Sequence, residues 1–189
     1  AVLQNIISYH KNSQRPLKDV IEEKHPQWID MEAKIIDVAT AYEKKKLSSQ
    51  VMDFDDLLLN LYILLDKFPS IREKLAGQFQ YVLVDEYQDT NYLQAGIVKL
   101  LSSIHNNILV VGDDAQSIYS FRAADIGNIL NFPKLFQDVK MYKMETNYRS
   151  TPDILNVAND IISYNKEQYP KELHSMQEKF VKPQLVPCS

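Results

Sequence analysis

Tyr81-Val82-Leu83-Val84-Asp85-Glu86-Tyr87-Gln88-Asp89-Thr90-Asn91 decides the fold. Four consecutive apolar residues, rich in valine, read as a short strand buried on both faces. Two adjacent carboxylates follow at once. Asn91 can then cap a helix, with Gln94 in the capping-box position and Leu93, Ile97, Leu100 and Leu101 facing the core. A second apolar run, Ile108-Leu109-Val110-Val111, is closed by Gly112, and Val139 to Met144 is a third candidate strand. Buried strands alternating with amphipathic helices predict an α/β fold with a parallel sheet. In such sheets ligands sit at the carboxyl ends of strands, so the residues after Val84 and Val111 are where chemistry is expected.

Working outward, the first fifty residues read as helical. Leu3, Ile6 and Ile7 share a face, as do Ile35, Ile36, Ala39 and Tyr42, while Pro16 and Pro26 divide the region into short helices. Lys44, Lys45 and Lys46 close it, a lysine run expected to be solvated at a helix C-terminus. Asp53 to Lys67 predicts one strongly apolar helix, and Pro69 starts another that stops near Gly77. Further on, Thr151 is placed to cap a helix that has Pro152 at its first position and Ile154, Val157, Ala158 and Ile161 along one face.

The bulk numbers exclude several classes. At 189 residues, 45% hydrophobic and 24% charged, the chain has the composition of a folded protein. A net charge of −4 argues against electrostatic coating of nucleic acid, although a narrow groove that stacks bases stays open. Most of the 11 tyrosines and 7 phenylalanines are expected in the core. The apolar runs are too short to span a bilayer, so no membrane partner is expected. The single cysteine, Cys188, fits a reducing compartment and reads as a bystander.

Three clusters carry candidate chemistry. Asp85 and Glu86 could divide the work of holding Mg²⁺ through water and activating an attacking water; an acidic loop that only caps the next helix explains the pair equally well. Gly112 allows a sharp turn, and Gln116 suits contact with a phosphate oxygen or a water. Tyr119, Phe121 and Arg122 combine two aromatic faces with a cation, the ingredients of a base-stacking site, whereas a core role for Ile118, Tyr119 and Phe121 is the alternative. Asn147-Tyr148-Arg149-Ser150 offers a fixed charge for phosphate and a ring for a purine, or a surface salt bridge. Asp85 and Gln116 are separated by roughly one strand–helix–strand unit of ~30 residues, so their loops should be neighbours on one sheet edge.

Taken together, the clusters resemble superfamily 1 DNA helicases of the UvrD/PcrA/Rep type. Residues 83–91 resemble motif II of that family, 111–122 motif III and 147–150 motif IV, while Asp53-Phe54-Asp55-Asp56-Leu57-Leu58 resembles the segment leading from a helical insertion back into the first motor domain. The similarity runs from about Met52 to Leu173, and more loosely through the helices before it. It implies a partial RecA-like P-loop NTPase motor domain: a helical insertion subdomain at 1–52, the remainder of the first motor domain at 53–144 and the start of the second at 145–189. It implies Glu86 as catalytic base, with Gln116 and Arg149 also catalytic. Asp85, Gln88 and Tyr148 would contact nucleotide, Asp85 holding Mg²⁺ partly through water, and Tyr119, Phe121 and Arg122 would contact DNA. Phe121 stands where tryptophan is common, Ala123 where glycine is frequent and Ala115 where an acid is frequent.

The cofactors implied are ATP and Mg²⁺. The partner is single-stranded DNA or a single/double-strand junction, with 3′ to 5′ movement in DNA repair or replication, in a bacterial-type cytoplasm at the nucleoid. No Gly-x-x-x-x-Gly-Lys-Ser/Thr loop occurs in the sequence, so the chain is expected to be a piece of a larger enzyme, inactive by itself. The motor part of a helicase–nuclease and a non-catalytic DNA- or partner-binding module are the alternatives. A phosphohydrolase using Asp53, Asp55, Asp56, Asp113 and Asp114 as metal ligands is a weaker one.

Overall fold

The computed structural model describes residues 2–136 and 138–187. Cys188 lies outside them. The chain divides into two compact units, Ala1–Phe132 and Pro133–Ser189.

The first unit opens with three helices, α1 (Val2–Ser13), α2 (Leu17–Lys24) and α3 (Glu32–Ser49). Pro16 and Pro26 sit at the predicted breaks, because proline lacks the N–H that would continue a helix. Ile6, Val20, Ile21 and Ile35 form a buried cluster flanked by Leu3, Tyr9 and Leu17. The expected face of α3 is narrower than its sequence suggests: Ile35 is buried, while Ile36 and Tyr42 are exposed. Helices α4 (Phe54–Lys67), α5 (Pro69–Gln78) and α6 (Tyr92–Leu101) pack on one another and bury Leu65, Ala76, Leu93 and Ile97. Both α4 and α6 start with complete capping boxes, Asp53 with Asp56 and Asn91 with Gln94. Each box satisfies two backbone donors that the first turn leaves without partners.

Strands β1 (Val82–Val84) and β2 (Ile108–Val110) pair in parallel, with Leu83 opposite Leu109. The expectation of burial on both faces is corrected here. Successive side chains alternate between faces. Val82, Val84, Ile108 and Val110 are half-buried, whereas Leu83 is 71% and Leu109 54% exposed. An apolar run shows that a strand can be covered on both sides, not that both covers lie within these residues.

The second unit differs from expectation in its strand. Residues 139–144 are irregular, and the strand is the shorter Thr146–Asn147 (β3), which pairs in parallel with His174–Ser175 (β4). Helix α7 (Pro152–Ser163) does begin with proline, but Thr151 makes no side-chain cap. Its buried residue is Leu155, and Ile154, Val157 and Ile161 are exposed. No helix among the described residues is long and apolar enough to cross a membrane.

Candidate functional site

The two loops that leave β1 and β2 are stitched together, as their shared sheet edge requires. Val111 donates its N–H to the carbonyl of Val84 at 2.8 Å, and Tyr87 donates to the carbonyl of Val111 at 2.9 Å. Asp85 and Glu86 are both exposed at this edge. The Glu86 N–H donates to Asp85 Oδ1 at 2.9 Å. Glu86 itself sits in the left-handed region, at φ 51° and ψ 42°. Such a backbone costs a residue with a side chain on the order of 1–3 kcal/mol and persists only where neighbours over-determine it. The neighbours are visible: Tyr87 and Gln88 right behind it are buried, and Tyr87 packs edge-to-face on Phe132 with ring centres 5.4 Å apart.

Gln88 joins the two loops. Its Nε2 donates to Glu86 Oε2 at 2.7 Å, and its Oε1 accepts the Asp113 N–H at 3.0 Å. Gly112 follows from this contact. No glycine among the described residues has a positive φ, so the turn needs no left-handed backbone. Instead a Cβ on Gly112 would come within 2.5 Å of Gln88 Oε1 and 2.8 Å of Ile129. The glycine is there for close approach rather than for a sharp turn.

Gln116 is exposed and donates through Nε2 to Asp113 Oδ2 at 2.8 Å. Beyond it, the alternative of a core role for Ile118, Tyr119 and Phe121 does not hold. Ile118, Tyr119 and Phe121 all face solvent, Phe121 at 66% exposure. The Tyr119 and Phe121 rings lie 5.8 Å apart. Residues Ser120–Arg122 form a tight turn, which brings the Arg122 guanidinium over both rings at 5.4 and 5.5 Å. Ala123 closes the turn at φ 63°, the left-handed conformation that glycine adopts most easily. Most other aromatics are likewise outside the core; of the large ones, Tyr87 and Phe132 are buried. In the second unit, Asn147 Oδ1 accepts the N–H groups of Arg149 and Ser150, and this holds Tyr148 and Arg149 in an exposed turn. Tyr148 is 72% exposed.

Sequence reasoning missed one group of residues. Lys46, read as part of a solvated run, is buried, as is Lys11. Lys11 Nζ lies 2.5 Å from Asp56 and 2.7 Å from Glu43, and Lys46 Nζ lies 2.6 Å from Asp56, 2.7 Å from Asp53 and 3.0 Å from Glu43. Burial acts to raise the Asp56 pKa, but hydrogen bonds from both lysines outweigh it and hold the carboxyl well below the usual range. Burial also opposes the charge on Lys46, and its carboxylate partners override that and raise it above the ordinary lysine value. The same helices support the first loop: Asn12 donates to Asp55 at 2.7 Å and accepts from Asn91 at 2.9 Å. The only sequence hint was the triple acid of Asp53, Asp55 and Asp56. With Asp53 and Asp56 taken up by lysines, these acids serve helix packing, and among the described residues no three His, Cys, Asp or Glu side chains cluster as a metal site.

Fold and site together define a class: an α/β protein whose parallel strand pair presents two hydrogen-bonded loops, one acidic and one ending in an exposed aromatic–arginine cluster. The chain belongs to the UvrD/REP helicase family, whose N-terminal domain model matches residues 2–137. It is 44% identical over 148 residues to the ATP-dependent DNA helicase PcrA of Bacillus subtilis (strain 168), covering 78% of this chain and 20% of that protein. The PcrA of Staphylococcus aureus (strain Mu50) is 46% identical over 136 residues, covering 72% and 19%. That of Staphylococcus epidermidis is 41% identical over 167 residues, covering 88% and 22%. The chain thus spans about a fifth of the length of the curated relatives it matches.

Proposed function

We propose that this chain carries part of the RecA-like motor of an ATP-dependent DNA helicase that moves 3′ to 5′ on single-stranded DNA in repair or replication. The observation that carries the reading is the joined loop pair: an exposed carboxylate, Glu86, is tied through Gln88 to the loop that bears Gln116, Tyr119, Phe121 and Arg122. A motor must make hydrolysis depend on DNA, and a rigid connection between a hydrolytic group and a stacking surface is the minimum physical requirement.

Glu86 serves as general base, accepting a proton from the attacking water. The Asp85 carboxylate is exposed at the mouth of the strand, with one oxygen held by the Glu86 N–H. A hard oxygen donor so placed fits Mg²⁺, which keeps most of its own waters. Bound there, the ion would neutralise phosphate charge. Gln116 contacts the γ-phosphate and is oriented by Asp113. Tyr148 covers adenine and Arg149 reaches the γ-phosphate, an assignment supported by their exposure and by the resemblance of residues 147–150 to motif IV. The ring pair Tyr119–Phe121 stacks bases, and Arg122 supplies positive charge beside them.

Glu86→Gln in the full-length protein tests the reading. Steady-state hydrolysis of ATP in the presence of single-stranded DNA should fall to background, with nucleotide and DNA affinity kept. A rate within a few-fold of the unaltered protein would remove Glu86 from the mechanism.

A further inference from the structure

Gln88 is 1% exposed, the most buried polar side chain of the site. An amide in that position must find partners for both its ends. Here a carboxylate lies at one end and a backbone N–H at the other. A carboxylate can only accept and an N–H can only donate, so a single amide orientation satisfies both; turned over, it would lose both bonds. The Gln88 backbone is also engaged, its carbonyl accepting from Ser117 Oγ at 3.3 Å. Gly112 leaves the amide the space that a Cβ would take. Asp113, whose N–H meets the amide, in turn accepts from Gln116 Nε2 through its carboxylate. One buried side chain therefore ties the Glu86 carboxylate to the 113–122 loop.

We propose that Gln88 is a positioning residue for ATP hydrolysis: it sets the direction of the Glu86 carboxylate and keeps it in register with the loop that carries Gln116 and the aromatic cluster. The proposal rests on the assignment of Glu86 as the base. A side chain with this role, buried at 1% exposure rather than open to the nucleotide contact that the family resemblance implies for it, acts on turnover and not on binding.

The test uses the full-length protein and five variants, Glu86→Gln among them, each with its thermal melt recorded. Gln88→Met keeps length and burial and removes both hydrogen bonds. Gly112→Ala displaces the amide from the opposite side while leaving it chemically intact. Each should lower DNA-stimulated kcat about tenfold or more, the scale of a misplaced general base, with KM for ATP and the Kd for oligo(dT) within about twofold. Because both changes break one contact, the double variant should lose about as much as either single one, not the product of the two. Gln88→Glu keeps the acceptor for Asp113 but turns a carboxylate towards Glu86, and it should not restore turnover. A kcat within twofold for Gln88→Met, with Glu86→Gln inactive, would overturn the role of Gln88 and leave that of Glu86 standing. Multiplicative losses in the double variant would overturn it as well. Turnover retained by Glu86→Gln would instead remove the base on which the proposal rests.

Discussion

Phe121 shows how much one side chain depends on its surroundings. Two residues separate it from Tyr119, and in an extended segment that spacing puts both rings on one side with Arg122 on the other. The rings do meet, but they meet across a tight turn, and Arg122 lies over them instead of pointing away. Identity and spacing announced an aromatic pair; the turn that sets the place of the arginine is closed by Ala123 in a left-handed conformation that an alanine does not advertise. Exposure then separates two outcomes for Phe121→Ala. A core phenylalanine would cost ~3–5 kcal/mol of stability on truncation, but one that is 66% exposed has little burial to lose. In the full-length protein the substitution should weaken single-stranded DNA binding by about 1–3 kcal/mol and leave the thermal melt nearly unchanged. A titration with unaltered affinity would show that the ring does not stack on bases.

At the scale of elements, the sequence was most legible where structure is local. The boxes at Asp53 and Asn91 are formed by side chains three residues apart, and prolines mark the helix starts at Leu17, Pro69 and Pro152. Parallel pairing of the two apolar runs was legible as well. Legibility ended where the decisive partner is distant in the chain. Lys46 looks like the last of three solvated lysines until α1 brings Lys11 and α4 brings Asp53 and Asp56 against it. Likewise, Leu83 and Leu109 are as apolar as strand residues covered on both faces, yet their exposure depends on what packs above them. The lysine–carboxylate cluster ties α1, α3 and α4 together, and without the Asp56 carboxylate Lys11 keeps Glu43 while Lys46 keeps Asp53 and Glu43, so Asp56→Asn should destabilise the chain by about 1.5–3 kcal/mol, the worth of a hydrogen bond to a charged group, as read by urea denaturation at pH 7. A loss below about 1 kcal/mol would mean the cluster behaves as a surface pair. The pH dependence has a definite sign. Asp56 titrates lower in the folded chain than its ordinary 3.8, so its contribution is complete above that pH and is lost as pH falls through the folded value. Lys46 titrates higher than its ordinary 10.5, so its contribution is complete below that pH and is lost as pH rises through the folded value. Between the two, the cluster should hold at constant strength.

For the whole molecule, two compact units carry different parts of the proposed machinery. The unit of Ala1–Phe132 holds the loop pair and the aromatic cluster, and that of Pro133–Ser189 holds Tyr148 and Arg149. No phosphate-binding loop occurs in the 189 residues, and in such a loop it is backbone N–H groups that cradle a bound phosphate. The central claim, that these residues belong to a DNA motor, is therefore best tested in the full-length protein by strand separation. A duplex with a 3′ single-stranded tail, another with a 5′ tail, and ATP–Mg²⁺ are given to the unaltered protein and to Glu86→Gln, and the released strand is followed by fluorescence. The expected result is release from the 3′-tailed duplex by the unaltered protein, none by Glu86→Gln, and little from the 5′-tailed duplex by either. Equal release by the two proteins, or none by the unaltered protein while it still hydrolyses ATP, would contradict the claim.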